Sequence, residues 1–176
     1  MDLDETRAML ARTPSVTAAL LTDLPDAWLH RNDGPGTWSA YDILGHLIEA
    51  DHHNWLPRAR VILAHGTDRG FEPFDREAML RREPEPVDVV LERFRGSRRS
   101  SLDDLDELHL TAADLDRRGI HGEFGEVTLG QLLATWVAHD LTHLGQISDV
   151  LARHYRIDVG PWRAYMPALD RVAEAE

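Results

Sequence analysis

Two histidines, His139 and His143, lie four residues apart in a long segment that contains no proline. In an α-helix, residues four apart are neighbours on one face, with Cβ atoms about 5–6 Å apart. Both histidines fall on the apolar stripe of this predicted helix, which includes Leu132, Trp136, Ile147 and Val150 or Leu151. Buried imidazoles at this spacing can bind a transition metal. The alternative is a pair of ordinary core histidines with backbone partners.

A histidine pair on one helix normally recruits a further metal ligand from another element. His46 is our first choice, because it lies between Ile43 and Ala50 at helical spacing, at the edge of an inner face. His53 is the second choice, since it follows seven residues later and is nearly aligned with His46 along the helix. A bundle in which all of these histidines are only core residues remains the alternative.

Several common catalytic motifs are missing from the sequence. It has no cysteine, which excludes thiolate ligands, a cysteine nucleophile and a disulfide framework. The histidine pair lacks the glutamate of a His-Glu-x-x-His motif, so a zinc peptidase would have no general base. The Gly-x-Ser-x-Gly motif and glycine-rich phosphate loops are also absent.

The composition is that of an acidic protein. Its 176 residues fit a single domain over 1–176 and carry a net charge of −12. Such a surface repels phosphate backbones, so we expect no nucleic-acid partner. One basic cluster precedes a run of acidic residues, which predicts a solvated, salt-bridged helix face. That cluster consists of Arg93, Arg95, Arg98 and Arg99.

The sequence predicts no membrane attachment. No apolar run approaches the ~18 residues that a transmembrane helix needs. The first residues, Met1 to Glu5, are acidic and lack the apolar centre of a signal peptide. We therefore expect a cytoplasmic protein with no membrane partner.

The histidines must be positioned by helices, and four long amphipathic segments predict them. These segments are residues 2–22, 38–65, 87–108 and 129–153. In the first segment, Pro14 predicts either a kink or a second helix that is capped by Thr13. In the second segment, Pro57 predicts a kink, because it leaves the carbonyl of His53 without its helical partner.

The connections between these segments define the expected topology. Residues 66–85 contain only a turn or two of helix near 75–82, and their length suits a crossover along a bundle. Residues 117–128 are predicted to be turn-rich, and no segment indicates a strand. A short C-terminal helix is expected after Gly160. The predicted fold is an all-α four-helix bundle that is not simply up-down-up-down.

Three parts of the sequence together resemble one known family. Trp38-Ser39 followed by Ile43 to Leu47 resembles the W-S-x-x-x-[IL]-x-x-H-L signature of the DinB-like superfamily of metal-binding four-helix bundles. Gly125 to Leu129, followed by His139 to Ile147, is similar to its second signature. Gly160 to Tyr165 looks like the closing segment of one branch of this superfamily.

This resemblance implies an up-down-down-up bundle with a long crossover between the second and third helices. It also implies one divalent metal held by three histidines, which correspond to His46, His139 and His143. The chemistry of the family is diverse, and it includes thiol-dependent transferases that use mycothiol, bacillithiol or glutathione, as well as isomerases and hydrolases. Dimers are common in the family, and the acidic surface of this chain neither requires nor forbids a homodimer.

Three imidazole ligands suit Zn²⁺, Ni²⁺ or Fe²⁺ and leave positions open for water or a substrate. Two chemistries follow, in which either a low-molecular-weight thiol or a metal-bound water attacks a small-molecule substrate. Glu49 lies one turn from His46 and is the predicted proton acceptor. Gln146 lies within one turn of His143 and is predicted to orient a ligand or substrate.

The predicted function is therefore a metal-dependent transferase that joins a small thiol to an electrophile. The alternatives are a metal-dependent hydrolase and a non-catalytic metal-binding protein of the stress response. Asp51 and Asp140 are predicted to lie off the apolar stripes and to be solvated. Trp38 and Trp136 are expected in the core of the bundle.

Overall fold

The computed structural model describes residues 2–171, most of which are helical. Within this range there are seven α-helices. They are α1 (Leu3–Leu10), α2 (Thr13–Leu21), α3 (Asp26–Leu29), α4 (Ala40–His53), α5 (Trp55–His65), α6 (Val87–Glu107) and α7 (Leu129–Ala152). The four predicted segments correspond to α1 with α2, α4 with α5, α6, and α7.

These elements form a four-helix bundle, as predicted. Helix α4 packs against α6 and α7, and α2 packs against the same two helices. Each helix of the bundle therefore contributes side chains to a shared interior. The predicted up-down-down-up order of the helices stays a prediction.

Two capping boxes fix the starts of the helices that carry the three histidines. Ser39 and Asp42 exchange side-chain and backbone hydrogen bonds at the start of α4. Thr128 and Gln131 do the same at the start of α7. Each box satisfies two backbone N–H groups that the first helical turn leaves free. Both helices begin close to the starts of the predicted segments, at residues 38 and 129.

Prolines mark the breaks in the two interrupted segments. Pro14 lies in the first turn of α2, so the second of the two alternatives is correct, although Arg12 rather than Thr13 occupies the N-cap position. The hydroxyl of Thr13 instead donates to Asp140 at 2.7 Å. Helices α4 and α5 are separated at Asn54, close to the predicted kink at Pro57.

The prediction of no strand is wrong. Residues predicted to be turn-rich form a hairpin of β1 (Arg118–His121) and β2 (Gly125–Thr128), which pair antiparallel. Each strand has only four residues, too few for an alternating pattern to stand out from the glycines around them. A Cβ at Gly119 would lie 2.7 Å from Ile62, so this glycine lets the hairpin pack closely on α5.

The core consists of two apolar clusters that occupy different lengths of the same helices. On α7, one cluster includes Leu133 and Trp136 and the other includes Ile147 and Val150. On α6, the clusters lie on either side of Arg98 in the same way. Buried polar side chains fill the interval between the clusters, and we call them the polar layer. Its members are Thr13, Thr17, His46, Asp51, Ser97, Arg98, Ser101, Asp140 and His143.

After α7 the chain forms short 3₁₀ turns. They span Arg153–Tyr155, Gly160–Tyr165 and Pro167–Leu169. Through residue 171, this region contains 3₁₀ turns and no α-helix. The remaining part of the predicted short C-terminal helix, residues 172–176, lies outside the described residues. Within residues 2–171, no helix has both the length and the apolar character that crossing a membrane requires.

The segment between α5 and α6 packs on α4 at the position of Gly45. A Cβ at Gly45 would lie 2.8 Å from the Cβ of Met79, which belongs to a 3₁₀ turn at Ala78–Arg81. Because that atom is fixed by the backbone, a larger residue must push the segment away. Gly96, in the exposed middle of α6, has no atom within 4 Å of the same position.

These two glycines make a matched pair for mutation. Gly96→Ala is expected to raise the free energy of unfolding by about 0.5–1 kcal/mol, because alanine favours the helix. Gly45→Ala should lose that gain to overpacking and lower the free energy of unfolding by about 1 kcal/mol. Urea denaturation of both variants measures the difference. Equal stabilisation by both substitutions would contradict the close packing at Gly45.

Candidate metal centre

The imidazoles of His46, His139 and His143 converge on one point in the polar layer. The Nε2 atom of His139 lies 3.1 Å from Nε2 of His46 and 3.1 Å from Nε2 of His143. His46 and His143 are buried, while His139 is partly exposed at one side of the cluster. The structure therefore brings together the three histidines predicted as metal ligands. His53, the second choice, is exposed and does not belong to the cluster.

The outer nitrogens of two of these rings have acceptors that fix their tautomers. Nδ1 of His46 lies 3.1 Å from the carbonyl oxygen of Arg76, which can only accept. Nδ1 of His143 lies 2.6 Å from Oε1 of Gln146. Each ring therefore carries its proton on Nδ1 and turns the lone pair of Nε2 towards the centre of the cluster.

Burial keeps these rings neutral. Burial and the neighbouring charge of His139 lower the pKa of His46 to about 4. Burial and the two other imidazoles lower the pKa of His143 to about 3. At neutral pH both rings thus present unprotonated Nε2 atoms, which is the form that binds a metal.

The distances within the cluster fit a divalent transition metal. Zn–N bonds of about 2.0–2.1 Å in a tetrahedron hold the ligand nitrogens about 3.3 Å apart. The observed separations of 3.1 Å between Nε2 atoms are close to that value. Lone pairs that face one another at such distances repel unless a proton or a metal cation lies between them. The donor set and its spacing therefore suit one metal ion.

A buried ionic network lies directly behind His139. The guanidinium of Arg98 donates to Asp51 at 2.9 Å, to Asp140 at 2.5 Å, and to the carbonyl of Leu10 at 2.7 Å. Its side chain also lies against the rings of Phe94 and Trp136. Arg98 is only 1% exposed, and the two aspartates are 3% and 2% exposed. The predictions that Asp51, Asp140 and Arg98 are solvated are therefore wrong.

The network carries more negative than positive charge. Although burial opposes ionisation, contact with His139 and Arg98 holds the pKa of Asp140 below its usual range. Burial raises the pKa of Asp51 to about 6, despite its pairing with Arg98. Both carboxylates are thus ionised at neutral pH, and one guanidinium balances only one of them. The remaining negative charge favours a cation at the neighbouring histidine cluster.

One oxygen of this network faces the third histidine. Oδ1 of Asp140 lies 3.7 Å from Nδ1 of His139, and neither atom has a hydrogen-bond partner. A small movement would make this contact a hydrogen bond, with His139 donating. Asp140 would then orient His139 as Arg76 and Gln146 orient the other two rings.

The spacing of these charged residues contained a signal of their burial. Arg98 lies four residues from both Phe94 and Leu102, which are apolar and buried on α6. Asp140 likewise lies four residues after Trp136. The prediction of solvated side chains rests on the charge of these residues, whereas their spacing from apolar residues places them on the buried faces of the helices. When two neighbouring helices each carry a charged residue on the apolar stripe, and the two charges are opposite, the residues are candidates for a buried ion pair.

Aromatic rings enclose the histidine cluster. The ring of Trp38 is centred 4.7 Å from His46 and 6.1 Å from His143. The ring of Trp55 is centred 4.9 Å from His139. These rings hold the imidazoles in place and keep water away from all but one side of the cluster. Trp38 and Trp136 are buried, as predicted.

On the remaining side, the cluster opens into a cleft of about 510 Å³. His46 and His139 lie in its wall, so a small molecule in the cleft can reach the metal position. The connection between α5 and α6 and the β hairpin complete the wall. The other residues that line the cleft are Asn54, Trp55, Arg58, Phe71, Glu72, Pro73, Phe74, Arg76, His121, Gly122, Phe124, Val127, Gln131, Leu132 and Thr135.

The two predicted catalytic residues occupy different places. Gln146 contacts His143, as described above, and its role towards a substrate stays a prediction. Glu49 is buried, pairs with Arg82 at 2.5 Å, and lines a separate small cavity rather than the cleft. The structure therefore does not bring Glu49 to the open side of the cluster, and its role as a proton acceptor stays a prediction.

Comparisons with known proteins agree with this architecture. A family model described as the DinB superfamily matches residues 9–147. The fold is similar to that of YfiT from Bacillus subtilis, described as a probable metal-dependent hydrolase with an unusual four-helix bundle topology. The two chains are 19% identical, the similarity covers 86% of each, and the TM-score is 0.73. At this identity the likeness concerns the fold. No curated protein matches the sequence.

The contact between Asp140 and His139 predicts an effect on metal affinity. Asp140→Asn removes the negative charge beside the ring and replaces one carboxylate oxygen with an NH₂ group, which cannot accept a hydrogen bond. We expect the affinity for Zn²⁺ to fall by about 10–100-fold, the usual effect of removing such a partner. Competition with a chromogenic chelator measures it.

Two further variants separate this effect from a general loss of stability. Asp149→Asn, on the same helix but paired with Arg171, should leave the Zn²⁺ affinity unchanged. Asp51→Asn also weakens the pairing of Arg98, but it does not alter the group that faces His139. If Asp51→Asn and Asp140→Asn reduce the affinity equally, Asp140 has no specific role in orienting His139.

Proposed function

The chain belongs to the DinB superfamily, and we propose that it is a metal-dependent enzyme that activates a small nucleophile. His46, His139 and His143 bind one divalent transition metal, which can be Zn²⁺, Ni²⁺ or Fe²⁺. The observation that carries this proposal is the convergence of three Nε2 atoms, with 3.1 Å between neighbours, at the wall of an open cleft.

The surrounding residues prepare the three histidines for this role. The carbonyl of Arg76 and the amide of Gln146 hold His46 and His143 in the tautomer that binds a metal. The open side leaves room for ligands that are not part of the chain, which is typical of catalytic rather than structural sites. When bound, the metal supplies a Lewis acid that lowers the pKa of a coordinated thiol or water.

We propose thiol transfer as the first candidate reaction. Among the described residues that line the cleft, Glu72 is the one acidic side chain, and it is exposed near Arg69. The cleft therefore offers little in the way of a general base for a nucleophile with a high pKa. A low-molecular-weight thiol suits these conditions, because a metal held by the three histidines would lower the pKa of the thiol enough for its proton to pass to solvent. Its sulfur would then bond to an electrophilic carbon while the bond from that carbon to a halogen or epoxide oxygen breaks, with the electron pair going to the halogen or oxygen.

Hydrolysis is the second candidate, and the similarity to YfiT favours it. That protein is described as a probable metal-dependent hydrolase. The same three histidines and the same open side would serve a water nucleophile. A non-catalytic metal-binding protein would need neither the cleft nor the exposed face of His139, so we place this alternative last.

We also propose that residues 66–86 cross along the bundle and that the helices follow the up-down-down-up order. This connection supplies the carbonyl of Arg76 to His46 and places Phe74 5.7 Å from the same ring. A crossover is the type of connection that can carry such residues to the middle of a helix. It would thus be part of the site as well as a link.

The proposal predicts that purified protein contains close to one transition metal per chain. His143→Ala should remove the metal, because two ligands remain on different helices, whereas His53→Ala should retain it, since His53 is exposed. Elemental analysis of both variants measures this. Wild-type protein without metal, even after addition of Zn²⁺ or Ni²⁺, would contradict the proposal.

Activity assays separate the two reactions. Glutathione, bacillithiol and mycothiol are each mixed with a panel of haloaromatics and epoxides, and a panel of esters and amides is tested without thiol. We expect thiol consumption that disappears with a chelator, returns with added metal and is absent in His143→Ala. Hydrolysis with the same metal dependence, without thiol consumption, would favour the second candidate. A metal-loaded protein inactive in both panels would contradict the enzymatic proposal.

A further inference from the structure

Two arginines in the cleft lack an anionic partner. Among residues 2–171, neither Arg58 nor Arg76 forms an ion pair with a carboxylate. Both line the cleft beside the histidine cluster. The protein carries 31 acidic side chains, so unpaired arginines in a nearly carboxylate-free cleft differ from the surrounding surface. Their charges are available to a bound anion.

Arg58 is the more constrained of the two. It is half-buried, and its guanidinium lies 5.3 Å from the centre of the Phe71 ring. Its Nε atom is buried and has no hydrogen-bond partner. Burial and the nearby charge of Arg76 lower the pKa of Arg58 below its usual value. A buried donor without an acceptor is costly, and an oxyanion from a ligand would satisfy it.

Both arginines are adjacent in sequence or in space to the metal ligands. The backbone carbonyl of Arg76 is the partner of His46, so its side chain starts next to that ligand. Arg58 follows Trp55 by three residues on α5, and the Trp55 ring contacts His139. An anion held by the two guanidinium groups would therefore lie in the same cleft as the metal position.

The rest of the cleft is apolar and aromatic. Phe71 and Phe74 come from the connection between α5 and α6, and Val127 and Leu132 come from the hairpin and α7. At the hairpin turn, Phe124 is 70% exposed and stacks on His121, with ring centres 4.6 Å apart. Such walls suit an apolar or aromatic body and provide little for a strongly polar one.

We propose that the cleft recognises a small molecule with an anionic group and an apolar body. Arg58 and Arg76 bind a carboxylate, phosphate or sulfonate, and the phenylalanine side chains contact the body. The reacting end then lies at the open side of His46 and His139. The identity of this molecule as a substrate rests on the proposed function, but its binding does not require turnover.

Two dyes that share an aromatic body test the proposal directly. 8-Anilinonaphthalene-1-sulfonate carries a sulfonate, and N-phenyl-1-naphthylamine is its neutral counterpart. Both gain fluorescence in apolar surroundings. We expect wild-type protein to bind the sulfonate at least about tenfold more tightly, as one or two charge-assisted hydrogen bonds provide. Equal affinity for the two dyes would overturn the proposal.

Variants at the arginines locate the effect. Arg58→Gln and Arg76→Gln should each weaken binding of the sulfonate by about tenfold and leave the neutral dye unchanged. Arg60→Gln, on the same helix but paired with Asp104 on the surface, is the control and should change neither. Arg76 is exposed and outside the core, so its variant keeps the test valid if Arg58→Gln fails to fold. Equal weakening of both dyes would contradict recognition of the anion.

The same titrations on chelator-treated protein separate the two proposals. Dye selectivity that persists without metal, in a protein without metal-dependent activity, would overturn the proposed function alone. Metal-dependent activity in a protein that does not distinguish the dyes would overturn this inference alone.

Discussion

A helical bundle can bury ionised and polar side chains only if each of them has a partner, because the loss of hydration is otherwise too costly. In this protein a guanidinium, two carboxylates and three imidazoles lie between two apolar clusters. Arg98 pairs with Asp51 and Asp140 and reaches the backbone at Leu10, so one side chain joins four segments of the chain. This pairing sets the separation of the helices in the layer where the histidines lie.

The same constraint explains why three imidazole nitrogens face one another. Their outer nitrogens contact, or lie close to, acceptors at Arg76, Gln146 and Asp140, which come from two different elements. The inner nitrogens of His46 and His143 are left with lone pairs, and both face Nε2 of His139. The excess negative charge of Asp51 and Asp140 over Arg98 lies behind them. Acceptors outside, lone pairs inside and negative charge behind together describe a cation site.

The sequence predicted the parts of this site that depend on helical periodicity. His139 and His143 follow from their spacing, His46 from its place on an inner face, and the starts of α4 and α7 from the bounds of their amphipathic segments. The predictions from helical periodicity missed three other features of the structure. The charge of Arg98 and its aspartates predicts solvated side chains, although their spacing places them on the buried faces. The four-residue strands are too short to give a pattern. The carbonyl of Arg76 is a backbone atom whose position depends on how the connection packs at Gly45. The cleft combines residues from α4, α5, the connection between α5 and α6, the hairpin and α7. The positions of its two arginines beside the histidines therefore depend on the folded chain.

The central claim is that His46, His139 and His143 together hold one metal ion. X-ray absorption spectroscopy at the K edge of the bound metal tests it most directly, because it reports the number, type and distance of the ligands. The account predicts three imidazole nitrogens at about 2.0–2.1 Å in zinc-loaded protein, with water oxygen or thiol sulfur completing the coordination. In His143→Gln the imidazole contribution should fall to two or disappear with the metal. A spectrum dominated by carboxylate oxygens, unchanged by His143→Gln, would contradict the account.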